Sequence, residues 1–380
     1  MAMELIFLII LCGAGLLYTL LSTLVTRYSL RSVPGMISRG DTRNGISVLK
    51  PLKGIDDQLE RNLESFFNLD YPKFELLFGV NDPDDPAIPI VKRLKRKYPG
   101  IQAKLIINPD RIGLNPKINN LNNIFVHARY EYILISDSNV RVPGLYLQDM
   151  MAHLLEPNTG LVVSIFRGTG AKSIASMMEN IHLNTFILSS VYTVKKLFNI
   201  PITIGKSMLF RKSFLNRFNV FYGLRDFLAE DHLLGLQVLK AGMEVAYSSI
   251  HIDNYNENWS FERFINRHLR WAKMRKHLNL VHYLTEPVAN PVFTALAGLL
   301  IIRTTEALLL AGMVLSLKMM MDIALMQMIK TDMKLYQYTL IPLKDVLMGA
   351  IWLIPFFHNR VNWRGTEFRI TRGTRLVSVT

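Results

Sequence analysis

Two acidic turns follow apolar runs. Asn81-Asp82-Pro83-Asp84-Asp85-Pro86 succeeds Phe74 to Val80, and Asp137-Ser138-Asn139 succeeds Tyr132 to Ser136. A carboxylate at the carboxyl end of a buried strand stands over the ligand crevice of an α/β sheet. Two such strands bring two carboxylates together. One can accept hydrogen bonds from a ribose or base edge, and the other can hold a divalent cation through oxygen ligands. The competing reading is that Asp, Asn and Pro are simply turn and cap residues. It weighs more on Asp84 and Asp85 than on Asp137, which follows a strongly apolar strand.

Three further stretches carry groups with chemical potential. Arg111-Ile112-Gly113-Leu114-Asn115-Pro116-Lys117-Ile118-Asn119 is a loop opening a helix, with cations and amides at its start. Backbone N–H groups and the macrodipole at such a start suit a pyrophosphate, and a nearby lysine adds charge. Phe227-Leu228-Ala229-Glu230-Asp231-His232 sets an acidic pair among apolar neighbours. Desolvation there raises a carboxyl pKa, which suits a general base, although such a pair also complements a helix dipole. His232 reads as a packing residue. Arg267-His268-Leu269-Arg270-Trp271 lies in a basic stretch with Arg263, Lys273, Arg275 and Lys276. The plain reading is a lipid-surface helix. The chemical reading is an aromatic wall beside a guanidinium that forks onto phosphate.

The elements that must position these groups alternate. Ile46 to Leu49 reads as a strand, and Asp56 or Asp57 caps a helix presenting Leu59, Leu63, Phe66 and Phe67 before Pro72. Phe74 to Val80, Ala103 to Ile107 and Tyr132 to Ser136 read as strands. Ala87 to Tyr98 and Lys117 to Ala128 read as helices. This alternation predicts an α/β fold with a mostly parallel sheet covered on both faces.

The 380 residues are 50% hydrophobic and 19% charged, with a net charge of +14 and one cysteine, Cys12. The mean hydropathy of +0.20 lies on the apolar side for a water-soluble enzyme. Collagen-like, low-complexity and disordered chains are excluded, as are an internal disulfide and a thiolate zinc cage. From Leu5 to Thr26 no residue is charged. That run spans roughly 33 Å as a helix, enough for a membrane anchor. Arg27 and Arg31 follow, and the positive-inside tendency puts the next segment in the cytoplasm. Further apolar segments run from Val288 to Met328 and from Leu340 to Phe357. Two spans after the anchor would return the tail arginines (Arg360, Arg364, Arg369, Arg372 and Arg375) to the cytoplasm. Leu340 to Phe357 is therefore expected to be re-entrant or interface-lying. The positive charge gathers at membrane-adjacent segments and not in an aromatic-rich groove, which argues against nucleic acid as a partner.

Asp82, Asp137, Asp231 and Arg267-x-x-Arg270-Trp271, in that order, resemble the D, D, D, (Q/R)xxRW signature of inverting membrane glycosyltransferases with the GT-A nucleotide-sugar fold. Within that group the chain most resembles the ceramide glucosyltransferase family. The stretches that carry this are Ser47 to Gly54, DPDDPA from Asp82, NPKINNL from Asn115, Ala229-Glu230-Asp231, and Trp363-Arg364. The resemblance implies an anchor over residues 1–28, a GT-A domain over 42–285, a membrane region over 286–358 and a basic cytoplasmic tail over 359–380. It implies transfer of a hexose from a UDP-sugar, UDP-glucose favoured, to the primary hydroxyl of a membrane lipid such as ceramide. Asp82 would meet the uridine, Asp137 would hold Mg²⁺ or Mn²⁺ at the diphosphate, and Asp231 would be the base. Lys50, Lys117, Asn119, Arg267, Arg270 and Trp271 would complete the nucleotide-sugar site, with Arg270 and Trp271 also shaping the acceptor mouth.

Two departures stand against that pattern. Asn139 replaces the second acid of the usual Asp-x-Asp, so metal binding rests on Asp137 and the phosphates. Ile187 stands roughly where animal members carry a histidine, and its segment is more similar to bacterial relatives that glycosylate hopanoids. A hopanoid acceptor with UDP-N-acetylglucosamine is thus an alternative. A polysaccharide synthase would need more spans, and a lipid-binding scaffold on a dead transferase domain would not selectively keep Asp82, Asp137 and Asp231.

Overall fold

The computed structural model describes residues 2–31, 44–363 and 365–379. Arg364, the side chain of Arg31 and residues 42 and 43 of the expected GT-A segment lie outside the described residues. Helix α1 (Ala2–Arg31) is followed by β1 (Ile46–Pro51), α2 (Leu59–Phe67), β2 (Phe74–Val80), α3 (Ala87–Lys97), β3 (Ala103–Ile107), α4 (Pro116–Phe125) and β4 (Tyr132–Ser136). Next come β5 (Val140–Arg141), α5 (Tyr146–Leu155), β6 (Thr159–Val163), β7 (Phe166–Thr169) and α6 (Ile174–His182). A π-helical turn, Leu183–Ile187, joins α6 to α7 (Leu188–Phe198). Then follow β8 (Ser207–Arg211), α8 (Lys212–Arg217), α9 (Val220–Leu224), α10 (Glu230–Lys240), β9 (Glu244–Tyr247) and β10 (Ile252–Tyr255). The chain continues through α11 (Phe261–Leu278), α12 (Leu280–Thr285), α13 (Pro291–Ile302), α14 (Thr305–Met328) and α15 (Ile341–Leu353). Three short strands close it: β11 (Arg360–Trp363), β12 (Thr366–Ile370) and β13 (Leu376–Ser378).

The described residues divide into two compact units. The first takes in Pro201–Tyr255 and the described part of Ser32–Arg167. Its seven-stranded sheet has the order β3-β2-β1-β4-β8-β6-β9. Strands β1 to β4 are mutually parallel, β8 runs antiparallel to β4 and β6, and β9 is parallel to β6. The mostly parallel α/β architecture expected from the alternation is present. Ile46 pairs with both Phe74 and Tyr132, so the three central strands start level and their carboxyl ends finish together. Every residue of β2 is buried, as a strand covered on both faces requires. Leu49, Leu77, Ile118, Leu121, Ile133 and Phe210 belong to the core below the site. Gly79 lets α4 lie against β2, since a Cβ there would meet Asn120 Oδ1 at 2.2 Å.

One local expectation fails. The N-cap of α2 is Gln58, at φ 56°, and not Asp56 or Asp57. The Asp56 carboxylate instead accepts from Ser138 Oγ, and the Asp57 carbonyl accepts from Asn62 Nδ2 at 2.9 Å. The Asp56 bond spans 82 residues, and the local sequence does not disclose it.

The second unit takes in Gly168–Ile200, Asn256–Thr380 and Met1–Arg31, in their described parts. Ala2–Leu30, Thr305–Met328 and Leu335–Phe356 are long and apolar enough to cross a membrane. Leu280–Ala289 with Pro291–Ile302 would make a fourth span, bent by 79°. The bend has a sequence cause: Pro287 and Pro291 lack an N–H, and the Asn290 side chain accepts from Phe293 N at 3.2 Å to start a new helix. The stretch expected to lie at the interface, Leu340 to Phe357, falls almost wholly within the 22-residue Leu335–Phe356 segment. Strands β11, β12 and β13 form a three-stranded antiparallel sheet in which Val361, Phe368, Ile370 and Leu376 are buried.

Candidate active site

Three lysines converge on Asp137 in the first unit. Asp137 follows β4 directly, a quarter exposed, with its N–H bonded to the Lys206 carbonyl at 3.0 Å. Lys117 Nζ lies 3.0 Å from Asp137 Oδ1, and Lys206 Nζ lies 3.2 Å from Oδ2. Lys50, fully buried on β1, donates to the Asp137 carbonyl at 2.5 Å and lies 3.8 Å from the centre of the Phe66 ring. Lys117 is aimed by the start of α4. Pro116 occupies the first turn, and the Asn115 side chain accepts from Lys117 N at 2.9 Å and Ile118 N at 3.0 Å.

The start of α10 supplies the acids on the other side of Lys117. Glu230 Oε1 lies 3.3 Å from Lys117 Nζ. Asp231 Oδ2 accepts from Gly205 N at 2.7 Å, and Oδ1 accepts from His232 N at 2.8 Å. Lys117 Nζ also donates to the Gly205 carbonyl at 3.2 Å. Gly205 fits closely there: a Cβ would sit 3.0 Å from Asp231 Cβ and 3.1 Å from Lys117 Nζ.

Electrostatics divides these groups. Burial works against charge on Lys117, but Asp137, Glu230 and Asp231 together raise its pKa above the usual lysine range. Burial would also raise the Asp137 carboxyl, yet Lys117 and Lys206 hold it well below the usual carboxylate range. Burial pushes Glu230 up to about 7, with Lys117 opposing and Asp231 adding to the rise. Burial holds Lys50 well below the usual lysine range. The acidic pair read from the sequence therefore separates into Asp231, fixed by backbone donors, and Glu230, which carries the raised pKa.

The remaining expected residues fall in several places. Asp82 is exposed beyond β2, its Oδ1 accepting from Asp84 N at 2.9 Å. Asp85 is buried as a turn residue, accepting from Gly54 N and Ala87 N at 2.9 Å each. Asn119 organises its own loop, accepting from Ile112 N and Gly113 N at 2.9 and 3.0 Å. Arg267, Arg270 and Trp271 belong to the second unit, on α11. There the Arg267 guanidinium lies 4.4 Å from the Trp271 ring centre and 3.3 Å from Glu179 Oε1. Arg270 lies 5.9 Å from the Trp363 ring centre.

The reading of the neighbouring cations as a lipid-facing edge is corrected for three of the four. Lys273 is buried against His358 and the Arg360 carbonyl, Arg275 forks onto Glu286 at 2.6 and 3.1 Å, and Lys276 donates to the Pro355 carbonyl at 2.6 Å. Main-chain carbonyls and a carboxylate inside the unit attract these cations inward. Arg263 is exposed.

Lys206 and Glu230 are the site residues that the sequence did not single out. Lys206 just precedes an antiparallel strand paired with β4, so no local pattern brings it to Asp137. Glu230 was visible as one of an acidic pair, but only its burial separates it from Asp231.

A divalent cation can be tested against this donor set. Asp137 offers hard oxygen ligands, and the Lys117 ammonium between Asp137 and Glu230 marks a position that favours positive charge. Among the described residues no group of three or more His, Cys, Asp or Glu side chains stands together to hold a metal. The residues fit an ion that is shared with oxygen ligands from a bound phosphate group.

A mostly parallel sheet with an antiparallel insertion, with acids and lysines at its carboxyl ends, matches the GT-A fold of glycosyltransferases. A solved mannosyltransferase from Pyrobaculum calidifontis, in complex with GDP-mannose and Mn²⁺, has the same fold, with a TM-score of 0.53 and 17% identity over 93% of this chain and 96% of that one. The chain belongs to glycosyl transferase family 21, whose model matches residues 7–376. It is 28% identical to ceramide glucosyltransferase 1 of Caenorhabditis elegans over 365 residues, covering 92% of this chain and 76% of that protein. It is 29% identical to ceramide glucosyltransferase 3 of the same organism over 71% of this chain and 59% of that protein. It is 26% identical to a ceramide glucosyltransferase of Komagataella phaffii over 68% of this chain and 62% of that protein. The chain is thus a glycosyltransferase, and its apolar helices make it a membrane protein.

Proposed function

We propose that this enzyme transfers a hexose, glucose from UDP-glucose, to the primary hydroxyl of a membrane lipid of the ceramide type, with inversion at the anomeric carbon. The observation that carries the reading is the convergence of Lys50, Lys117 and Lys206 on Asp137. Ammonium groups gathered at a helix start suit a diphosphate, whose oxygens would draw Lys117 and Lys206 from the carboxylate. The ceramide glucosyltransferase names of the relatives support the lipid acceptor.

In this reading Asp82 meets the uridine end and Asp137 holds Mg²⁺ or Mn²⁺ together with the diphosphate. When bound, that ion neutralises charge developing on the leaving diphosphate. Lys117 and Lys206 contact the phosphate oxygens, and Asn119 keeps the loop before α4 in place. By the sequence resemblance alone, Arg267, Arg270 and Trp271 would bind the diphosphate and shape the acceptor mouth. Asp231 takes the proton from the lipid hydroxyl as that oxygen attacks the anomeric carbon opposite UDP. Its two backbone donors fix the carboxylate for this task. Arg27 and Arg31 after the anchor support a cytoplasmic nucleotide site, where a charged, water-borne donor is available.

The test is a donor and acceptor panel. Full-length enzyme in nanodiscs is given UDP-glucose, UDP-galactose or UDP-N-acetylglucosamine with ceramide or a hopanoid, and the lipids are analysed by mass spectrometry. Hexosylceramide from UDP-glucose is expected. A hopanoid product from UDP-N-acetylglucosamine alone, or no glycolipid from any pair, would overturn the reading.

A further inference from the structure

The second unit holds a partly open cavity of about 60 Å³, lined by polar as well as apolar groups, among its helices. At about 15 Å³ per water-sized group, that is room for about four such groups. Its walls come from α1, α6, the π-helical turn, α14 and α15, so it lies among segments long enough to span a bilayer. We propose that this cavity binds the uncharged, hydroxyl- and amide-bearing head of a lipid, with His182 and Ser22 as its recognition groups. The inference deepens the reading of the chain as a lipid-acceptor transferase and rests on it for the lipid.

The charges lining the cavity cancel. Lys318 pairs with Asp322 at 2.5 Å, Arg275 with Glu286 at 2.6 Å, and Lys344 with Asp345. Three cations thus meet three carboxylates, and no net charge is left to attract an ion. Polar groups are costly among spanning helices and tend to mark a functional site. Here they build a neutral, strongly hydrogen-bonding wall.

The groups left for a ligand both donate and accept. His182 is 3% exposed, lines the cavity, and has no hydrogen-bond partner at either ring nitrogen. Burial, reinforced by the positive neighbours, holds its pKa well below the usual histidine range, so the ring is neutral with one N–H donor and one acceptor nitrogen. Phe186 stacks on the ring at 5.2 Å and His268 meets it edge-on at 4.8 Å. Ser22 Oγ, across on α1, is equally buried and without a partner. Its neighbours Thr19 and Thr23 have donated their hydroxyl protons to carbonyls one turn back, at 2.9 Å each. Hydroxyl and amide groups match this mixed set. An ionised phosphate offers acceptors only, and would leave the His182 acceptor nitrogen unmet.

Two further features suit a lipid. The π-helical turn begins directly after His182, and such insertions are frequent at functional sites. On α1, Leu17, Leu20, Leu21 and Leu24 are exposed beside the serine and threonine face, giving the tails an apolar surface.

The experiment measures lipid binding and UDP binding separately on the full chain in micelles. The probes are a ceramide with a short fluorescent acyl chain and the same lipid carrying a 1-phosphate. His182→Phe and Ser22→Ala should each weaken ceramide binding by about tenfold while leaving UDP binding unchanged. His182→Gln, which keeps a donor and an acceptor, should recover most of the loss. The phosphorylated lipid should bind wild type at least about tenfold more weakly than ceramide. If His182→Phe fails to fold, as judged by lost UDP binding, Ser22→Ala and His182→Gln carry the decision. Ceramide affinity unchanged in the variants, as a cavity filled by water alone would give, overturns the inference. Equal binding of the phosphorylated lipid overturns it too. A wild type that binds ceramide through His182 but glycosylates no lipid would instead overturn the proposed function and leave this site standing.

Discussion

Lys117 Nζ and Asp137 Oδ1 meet at 3.0 Å across the carboxyl end of the sheet, one from the first turn of α4 and the other directly after β4. The same ammonium reaches Glu230 Oε1 at 3.3 Å. Lys117 therefore ties together the two acidic elements that the parallel strands and α10 bring to one place. In the proposed reaction an arriving diphosphate would exchange these carboxylate partners for phosphate ones and leave the lysine paired.

Replacing Lys117 by methionine should raise KM for the UDP-sugar by about 10- to 100-fold, the scale of one charge-assisted hydrogen bond. The change should fall mainly on KM, because the contact is made to donor in the ground state as well. Steady-state kinetics with saturating lipid measures this. An unchanged KM would remove Lys117 from the donor site.

Asp137→Ala should weaken cation and nucleotide binding together, since in the proposed site it would remove the carboxylate that the cation shares with phosphate. Calorimetric titration of Mn²⁺ in the presence of UDP should lose its saturable heat. An isotherm identical to wild type would take Asp137 out of the cation site.

Glu230 makes a pH signature in the nucleotide-free enzyme. Its pKa is raised from 4.5 to about 7 in the folded chain, so the folded state binds this proton more tightly than the unfolded state does. The contribution to stability is full below about 4.5, declines as pH rises, and is gone above about 7. The thermal midpoint of wild type should fall more between pH 5 and pH 8 than that of Glu230→Gln. Parallel declines in the two proteins would contradict the buried, proton-holding Glu230.

Asp231→Asn retains an oxygen to accept from Gly205 N or His232 N, so the start of α10 should keep its form. Transfer should nevertheless drop by about 10²- to 10⁴-fold, the usual cost of removing a general base. UDP affinity should stay close to wild type. Near wild-type turnover would move the base elsewhere, with Glu230 as the adjacent carboxyl.

The ion pair between Lys318 and Asp322 is buried one helical turn apart on α14. Asp322→Ala leaves the ammonium with only Asp345, at 3.9 Å, and should destabilise the protein by about 3–5 kcal/mol. The double change Lys318→Met with Asp322→Leu removes both charges and should restore most of the stability. Thermal unfolding in micelles compares them. A double variant as unstable as the single one would show that the pair itself is needed.

Much of the sheet was legible because its strands are continuous apolar runs bounded by polar turns. The second, third and fourth strands have the expected bounds, and the first extends two residues further. Asp137 was legible for the same reason, as the first acid after such a run. The antiparallel strand β8 was not, because five residues of SMLFR gain their place only by pairing with β4 and β6. Lys206 went unread with it. On α11 the sequence showed a row of cations but not their direction, which is decided by partners such as Glu286, 11 residues past Arg275, and His358, 85 residues past Lys273. Lys318 and Asp322 did leave a readable signal, a Lys and an Asp four apart inside an apolar run, where charges must find one another.

The central claim is tested most directly by following the sugar carbon itself. Full-length enzyme in ceramide-containing nanodiscs is supplied with UDP-glucose labelled with ¹³C at the anomeric carbon, and the lipid product is read by NMR. The label is expected to arrive on the ceramide primary oxygen in the β configuration, opposite to the α linkage of the donor. A product with retained α configuration, or label released only as free glucose with none on lipid, would contradict it.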